Sequence, residues 1–343
     1  MIGRGDRIGP IHLAVAATAV MLLAASPAAA KPLTVNKSTV LRGAEKAPPA
    51  SAAKKKKKKR GRATTRTAAT RFSNRSASAT AACTGKSHLT GGGFAASPKF
   101  TPGSGGLPTM SVVSWPAGKK DWVASSRSFL DAPGSFTTFA RCESNKLGKT
   151  VRLSLSGTVP AFTTTNVILD CPPTTHAVGG GYAGTPPTTP SALIPGGLRT
   201  VVLQSRRTQV GQWTVTVVTV GDANENPPNP PPTAISGFVI CERDGKRKNV
   251  TEASTVAAIP ENGRAEGSAT CGGKRHVVSG GFNITDSIGD SSVAAALDES
   301  HPVDRKGWHV GLWEHFLFAK PANAKLHTFA YCKKVPKKKK KKK

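Results

Sequence analysis

Acidic residues are scarce in this sequence. Its 343 residues include 19 Asp and Glu against 49 Lys and Arg, which gives a formal net charge of +30 at pH 7. The excess lies mostly at the two ends: residues 1–82 contain 17 basic and 2 acidic residues, whereas the body 83–332 contains 23 basic and 17 acidic residues. A nucleic-acid-binding domain carries its positive charge on a folded surface. The charge distribution therefore disfavours a domain of that class.

Long apolar runs and catalytic signatures are missing as well. After residue 30 there is no apolar run of the roughly 18 residues that a membrane-spanning helix requires. The 35 Gly and 26 Pro are too many for a helical bundle, and they do not follow the period of collagen. Neither the His-Glu-x-x-His zinc motif nor the Gly-x-Ser-x-Gly nucleophile motif occurs. We therefore expect a protein that is not an enzyme, with no catalytic residue, no metal and no cofactor.

The N-terminus has the three parts of a secretory signal peptide. Arg4 and Arg7 are basic, residues 13–25 are apolar, and Ala28-Ala29-Ala30 supplies small residues for cleavage. An N-terminal membrane anchor is the alternative, which the shortness of the apolar stretch disfavours. We predict a signal peptide at 1–30 and a secreted, extracellular protein that is associated with the cell envelope.

Two lysine runs flank the body. The first lies in segment 31–82, predicted to be disordered because it has few large apolar residues, and the second lies in the tail 333–343. Lysine lacks the bidentate fork of arginine, and no aromatic residues interleave with these runs. We expect non-specific binding to anionic envelope polymers or a lipid surface, with no sequence-specific nucleic acid; a non-specific DNA-binding protein is the alternative. The candidate polyanion-binding residues are Lys54, Lys55, Lys56, Lys57, Lys58, Lys59, Arg60, Lys337, Lys338, Lys339, Lys340, Lys341, Lys342 and Lys343.

The body repeats one module three times. Its copies open with CTGKSHLTGGGF at Cys83, CPPTTHAVGGGY at Cys171 and CGGKRHVVSGGF at Cys271. Each copy then has a Ser that is followed eight residues later by a Trp, and each closes on Phe-x-x-Cys. The recurrent residues are His88, His176 and His276; Ser114, Ser205 and Ser300; Trp122, Trp213 and Trp308; and Phe139, Phe238 and Phe329.

The repeat predicts the disulfides and the domains. Among the possible pairings of six cysteines, it selects Cys83–Cys142, Cys171–Cys241 and Cys271–Cys332. The modules are predicted at 83–142, at 143–241 with a leading strand near 151–159, and at 242–332. Segment 224–232 is predicted to be a proline-rich loop, and segment 291–300 is predicted to be the one helical region.

Short runs rich in Val, Thr, Phe and Trp alternate with Gly, Pro, Ser and Asn clusters, which indicates an all-β chain. Each module is expected to be a small antiparallel sheet or sandwich closed by one disulfide. Two arrangements stay open: modules in a row, or modules closed into a pseudo-threefold body with four-stranded sheets as in a β-prism.

The string Cys-(Pro)-x-x-x-His-x-Val-x-Gly-Gly-aromatic, then Ser-x7-Trp-x-Val, then Phe-Ala-x-Cys, resembles a module of exported actinobacterial repeat proteins that have no assigned activity. The resemblance covers about 160–332 and, more loosely, 83–142, where Trp122-Val123-Ala124 departs from Trp-x-Val. It implies secretion and a disulfide-closed β fold, and it transfers no catalytic residue.

The recurrent histidines have two interpretations. Zinc needs three or four ligands at one point, and a closed pseudo-threefold body would bring His88, His176 and His276 to its axis as a three-histidine site. We favour structural histidines that bond a neighbouring backbone carbonyl.

The tryptophans divide into two groups. Trp122, Trp213 and Trp308 recur and are expected to anchor the core. Trp115 and Trp313 do not recur, so we predict exposed contacts there for a glycan or an extracellular protein.

The third copy adds further histidines and acids, which we interpret as a solvated face. A secreted hydrolase that uses this His-rich module is the alternative. The residues concerned are His301, His309, His315, His327, Asp298, Glu299, Asp304 and Glu314.

Overall fold

A computed structural model of the chain describes residues 63–334 with gaps. The described ranges are 63–101, 105–106, 108–143, 150–160, 163–184, 199–220, 232–243, 250–260, 263–285, 293–316 and 324–334. They all belong to the second of two compact units, which comprises Ser51–Lys343. The predicted signal peptide, segment 31–62, most of the loop 224–232 and both lysine runs lie outside the described residues.

The described residues form eighteen β-strands, six in each module, and none of them is helical. Module one comprises β1 (Ala63–Arg71), β2 (Ser76–Ala82), β3 (His88–Ser97), β4 (Thr109–Pro116), β5 (Asp121–Ser128) and β6 (Ser135–Glu143). Module two comprises β7 (Thr150–Val159), β8 (Thr164–Asp170), β9 (Thr175–Gly184), β10 (Arg199–Gln209), β11 (Gln212–Val220) and β12 (Thr233–Arg243). Module three comprises β13 (Val250–Ala258), β14 (Arg264–Thr270), β15 (Arg275–Thr285), β16 (Val293–Val303), β17 (Gly307–Phe316) and β18 (Lys325–Lys334).

Within this part of the chain no helix is long and apolar enough to cross a membrane. The fold is thus all-β, as the sequence predicts, with antiparallel strand pairs and the three predicted disulfides, Cys83–Cys142, Cys171–Cys241 and Cys271–Cys332.

Each sheet is shared by two modules. The strand orders are β1-β6-β3-β16-β17-β14, β2-β5-β4-β9-β12-β7 and β13-β18-β15-β10-β11-β8. In every module, therefore, the first, sixth and third strands lie in one sheet, and the second, fifth and fourth strands lie in another. Because the third strand of each module pairs with the fourth strand of a different module, the three modules close into a ring with pseudo-threefold symmetry.

The seams between modules use the recurrent Ser and aromatic positions. Ser300 pairs with Phe94, Ser114 with Tyr182 and Ser205 with Phe282. Each seam also stacks the recurrent Phe on the residue that follows the Ser. These stacks join Trp115 to Phe238 at 4.5 Å, Arg206 to Phe329 at 4.9 Å and His301 to Phe139 at 4.7 Å. The Ser, the aromatic residue and the Phe of the motif therefore recur because each of them forms the contact between modules.

A tryptophan and a disulfide hold the two halves of each module together. Trp122, Trp213 and Trp308 are buried, which confirms the predicted core role. Each indole Nε1–H donates a hydrogen bond to the Ser eight residues earlier, at 3.1–3.2 Å. Each disulfide joins a cysteine just after the second strand to one on the sixth strand, and it thereby links two different sheets.

Several sequence predictions need correction. Segment 31–82 is not disordered throughout, because residues 63–71 and 76–82 form β1 and β2 and complete module one. A helix was expected at 291–300, but its described residues, 293–300, are instead part of β16. The sheets have six strands rather than four because each combines halves of two modules. The predicted leading strand of module two is β7, as expected.

Candidate functional site

The recurrent histidines occupy equivalent positions near the start of the third strand of each module. Each is the cross-strand partner of the residue that follows the second cysteine of its module. The pairs are His88 with Glu143, His176 with Glu242, and His276 with Lys333. We call these six residues the axial cluster.

Lys333 breaks the symmetry of the axial cluster. Its Nζ donates to Glu143 Oε2 at 3.0 Å and to both oxygens of Glu242 at 2.8 Å. His276 Nε2 donates to the other oxygen of Glu143 at 3.1 Å, and His276 is fully buried. The prediction that the histidines bond backbone carbonyls is therefore wrong for His276, whose partner is a carboxylate.

Mutual attraction controls the charges of the axial cluster. Burial opposes ionisation of Glu143, but the hydrogen bond from His276 and the charge of Lys333 lower its pKa to about 2. Burial likewise opposes protonation of Lys333, yet the two carboxylates raise its pKa. For His88, burial dominates and lowers the pKa. The cluster thus contains an ammonium between two carboxylates, beside an imidazole that resists protonation.

A metal ion bound in the axial cluster would have to compete with Lys333. His88, Glu143 and Glu242 have ligand atoms close enough together to hold one metal ion. His88 Nε2 lies 4.0 and 3.9 Å from the two carboxylates. Because the ammonium of Lys333 already bonds both carboxylates, it fills the position of a cation in this arrangement.

A second polar group lies at the seam between modules three and one. It is centred on the buried carboxylate of Glu299, and its members Lys99 and Glu266 are exposed. Lys99 Nζ lies 2.8 Å from Glu299 Oε1, and His309 Nε2 lies 3.1 Å from the same oxygen. We call this group the lateral cluster; its members are Lys99, Arg264, Glu266, Asp298, Glu299, His301 and His309.

The lateral cluster corrects the prediction of a solvated face. Asp298 and Glu299 are buried, and Arg264 bonds each of them at 2.5 Å. Burial raises the pKa of Asp298 to about 7 despite Arg264. For Glu299, hydrogen bonds from the two histidines and from Lys99 outweigh burial and lower the pKa. The pKa values of these two adjacent carboxyl groups on β16 are thus shifted in opposite directions.

The lateral cluster belongs to one copy only. Six of its seven members belong to module three. Among the twelve equivalent positions in the other two modules, only one has an ionisable residue, Arg206. Those positions are Ser76, Ser78, Val112, Val113, Trp115 and Val123 in module one, and Thr164, Asn166, Leu203, Gln204, Arg206 and Thr214 in module two. Because two modules fold without these charges, the fold itself does not require them.

A hydrogen-bonded relay runs through the lateral cluster. Ser268 Oγ lies 2.8 Å from His309 Nδ1, and His309 Nε2 lies 3.1 Å from Glu299 Oε1. If Nε2 donates to the carboxylate, Nδ1 is left to accept the serine proton. An exposed hydroxyl, a half-buried imidazole and a buried carboxylate are therefore joined in series. Glu266, Glu299 and His309 also form a group with the spacing of metal ligands.

The two tryptophans that do not recur between modules have different environments. Trp313 is buried, donates to the carbonyl of Thr109 at 2.8 Å and packs against Phe100 and Phe129, so the prediction of an exposed contact is wrong there. Trp115 is half-buried on Phe238, where part of its ring remains open to solvent.

The other predicted residues of the third copy are dispersed. His327 bonds Thr285, and Asp304 is exposed in the turn before β17. The side chains of Glu314 and His315 lie outside the described part of the chain.

A small cavity lies on the axis and is lined by matched residues of all three modules. Its volume is about 20 Å³, which is room for a single water molecule. The lining consists of motif glycines, the motif aromatic residues, the motif serines and two of the three recurrent tryptophans, Trp122 and Trp308. A cavity of this size holds no substrate.

Sequence reasoning missed Glu143, Glu242 and Lys333. The available signal was their shared offset, since each directly follows the second cysteine of its module. It also missed Lys99, Arg264, Glu266 and Ser268, for which no repeat exists. No protein-family model matches the chain, and no curated protein is significantly similar to it.

Proposed function

We propose that this is an exported, non-enzymatic β-repeat protein that its lysine runs hold at the cell envelope or on other polyanions. The repeats then act as a scaffold or bind a glycan or an extracellular protein. The observation that supports the proposal is that the residues that stabilise the fold and the lysine runs belong to different parts of the chain. Every residue type that recurs in the modules already takes part in a contact that stabilises the fold, whereas the lysine runs belong to segments of the sequence outside the repeated modules.

Export is supported by three features. Disulfides are typical of extracellular proteins, and all six cysteines are paired. Residues 1–30 have the pattern of a signal peptide. The resemblance to modules of exported actinobacterial proteins points to the same location.

Attachment by the runs is supported by their chemistry. Residues 54–59 and 337–343 are uninterrupted lysine. Near an anionic membrane each lysine contributes about 1 kcal/mol, and salt screens this attraction. Such binding requires no pocket and no defined partner sequence.

The test replaces the lysines of both runs by glutamine and compares the variant with one that has arginine at the same positions. The arginine variant keeps the charge and serves as the matched control. We expect the glutamine variant to appear in the medium, while the native chain and the arginine variant stay on the cells until salt is added. Retention of the glutamine variant at the native level would contradict the proposal.

A second candidate function is ester or amide hydrolysis at the lateral cluster. The relay from Ser268 through His309 to Glu299 favours it, because a serine is activated by an adjacent base that a third group orients. Ser268 Oγ would attack the acyl carbon, its proton would pass to His309 Nδ1, and the imidazolium would protonate the leaving group. Water would then release the acyl group by the same steps.

A fluorophosphonate probe tests the hydrolase. If the relay is active, the probe labels Ser268, and both Ser268→Ala and His309→Gln abolish the label. Ser78→Ala changes an exposed serine on the equivalent strand of module one and should leave the label unchanged. Absence of labelling, or labelling that His309→Gln does not alter, excludes this function.

A further inference from the structure

The described part of the chain begins and ends at the same end of the body. Strand β1 begins at Ala63, which is the cross-strand partner of Glu143, and β18 ends at Lys334, next to Lys333. Glu143 and Lys333 are bonded to each other in the axial cluster. The chain therefore enters and leaves the folded body beside the same group of side chains.

Covalent connectivity holds the runs near this end. Arg60 is three residues from Ala63, and Lys337 is three residues from Lys334. Three residues span at most about 11 Å of extended chain. Whatever conformation the runs adopt, each begins within that distance of the body.

The folded surface at this end is basic as well. Backbone hydrogen bonds from Cys83 to Lys120 and from Cys271 to Lys306 place the turns beside the disulfides. We call this the cysteine end. Its turns expose six basic residues against one acidic residue, Asp304. The basic residues are Lys86, Lys119, Lys120, Lys274, Arg305 and Lys306.

The opposite end, which we call the far end, lacks this excess of positive charge. Its described turns 72–75 and 129–134 contain one basic residue, Arg75, and one acidic residue, Asp131. Lys99, which follows β3 at the same end, is paired with the carboxylates of Glu266 and Glu299.

We propose that the protein binds a planar anionic lipid surface end-on, with its cysteine end against the headgroups and both lysine runs engaged on the same surface. This inference rests on the proposed attachment by the runs. A flat surface meets only one end of the body, so the end with the excess of positive charge is attracted to the headgroups. A flexible polyanion would reach the sides and the far end, where this asymmetry gives no advantage.

Engagement of two runs on one surface strengthens binding without any new contact. Once the first run is bound, the second is held close to the same headgroups, so its local concentration is high. Neutralising either run should therefore weaken binding by about tenfold or more. Runs at opposite ends would instead join two separate surfaces.

The experiment uses the chain from Lys31 onward and vesicles of phosphatidylcholine and phosphatidylglycerol at a ratio of 3:1. We expect tight binding without vesicle clustering, and amide-exchange protection in the turns 84–87, 117–120, 272–274 and 304–306. The turns 72–75 and 129–134, at the far end, should exchange at the same rate with and without vesicles.

A relocated run is the matched control. In this variant Lys337–Lys343 is removed from the C-terminus and inserted between Pro227 and Pro228 in the connection 221–231, which keeps the total charge. We expect it to cluster vesicles and to bind each of them more weakly than the native chain does.

The outcomes separate the two proposals. Clustering by the native chain, or protection at the far end, overturns the end-on orientation while attachment by the runs still holds. Binding to polyphosphate without binding to vesicles overturns the lipid surface in the same way. If the variant with both runs changed to glutamine binds vesicles as tightly as the native chain, attachment by the runs fails as well.

Discussion

Three consecutive small residues in each module face three different neighbours. The first, Gly91, Gly179 or Ser279, meets its counterparts near the axis. The second packs under the motif tryptophan, and the third lies against the carbonyl of the motif Ser in the adjacent module. Only at the first position does a copy carry a side chain, Ser279. The glycine string therefore serves close packing.

A single methyl group tests this account. In Gly180→Ala the added Cβ would lie 2.6 Å from Cδ2 of Trp213, and the rigid ring has no room to move. Overpacking of this kind costs roughly 1–3 kcal/mol. Gly157→Ala is the control, because a Cβ there meets nothing within 4 Å. Chemical denaturation should show a clear loss of stability for the first variant and almost none for the second; equal losses would contradict the account.

At the scale of the strand, the sequence predicts the repeated modules better than it predicts the edge strands β1 and β2. β1 and β2 contain mainly Ala, Thr, Ser and Arg, and such composition is typical of disordered segments. They form strands because each lies at the edge of a sheet, where small residues such as Ala77 and Ala81 suffice to fill the core side. Composition alone does not predict this pairing, since the partner strands β6 and β5 lie about forty residues or more away along the chain.

Removal of these two strands should prevent folding. Residues 63–71 pair with β6 along their whole length, and residues 76–82 pair with β5. A chain that begins at Cys83 leaves β5 and β6 as unpaired edges in two sheets, which favours aggregation. We expect this chain to be insoluble and a chain that begins at residue 61 to be monomeric in size-exclusion chromatography. A soluble, cooperatively unfolding chain from Cys83 would contradict the assigned topology.

The motif spacing predicted the cysteine pairs, the recurrent tryptophans and the module count, because these depend on contacts inside one copy. It left open whether the modules form a row or a ring, because that depends on pairing between strands of different copies. The contribution of Lys99 to the lateral cluster was hidden for a related reason. Lys99 and Glu299 are two hundred residues apart in the sequence, and only the seam between modules one and three brings them together.

At the scale of the whole molecule, the axial cluster makes closure of the ring depend on pH. The pKa of Glu143 is about 2 in the folded chain against an ordinary 4.5. Its contribution is therefore complete above pH 4.5 and is lost as the pH falls through 2. The raised pKa of Lys333 gives a contribution that is complete below pH 10.5 and is lost above it. The lowered pKa of His88 makes acid below pH 6.5 unfavourable to the folded state.

Lys333→Met should destabilise the ring and shift its acid sensitivity. Two buried carboxylates would lose their shared cation, which costs roughly 3–5 kcal/mol. The pKa of Glu143 should rise, so acid unfolding should begin at higher pH than in the native chain. Lys334→Met is the control, because Lys334 is adjacent but exposed. Unfolding curves at several pH values would show the difference; identical curves for the two variants would mean that the axial cluster has no stabilising role.

The central claim is that charge in the two runs, rather than the folded modules, holds the protein in place. The direct measurement is binding to isolated envelopes of the producing cells as a function of NaCl concentration, for the native chain and for the chain with glutamine at residues 54–59 and 337–343. The account predicts steep loss of native binding as salt increases, and much weaker binding of the neutralised chain at every salt concentration. Equal affinity and equal salt dependence of the two chains would contradict it.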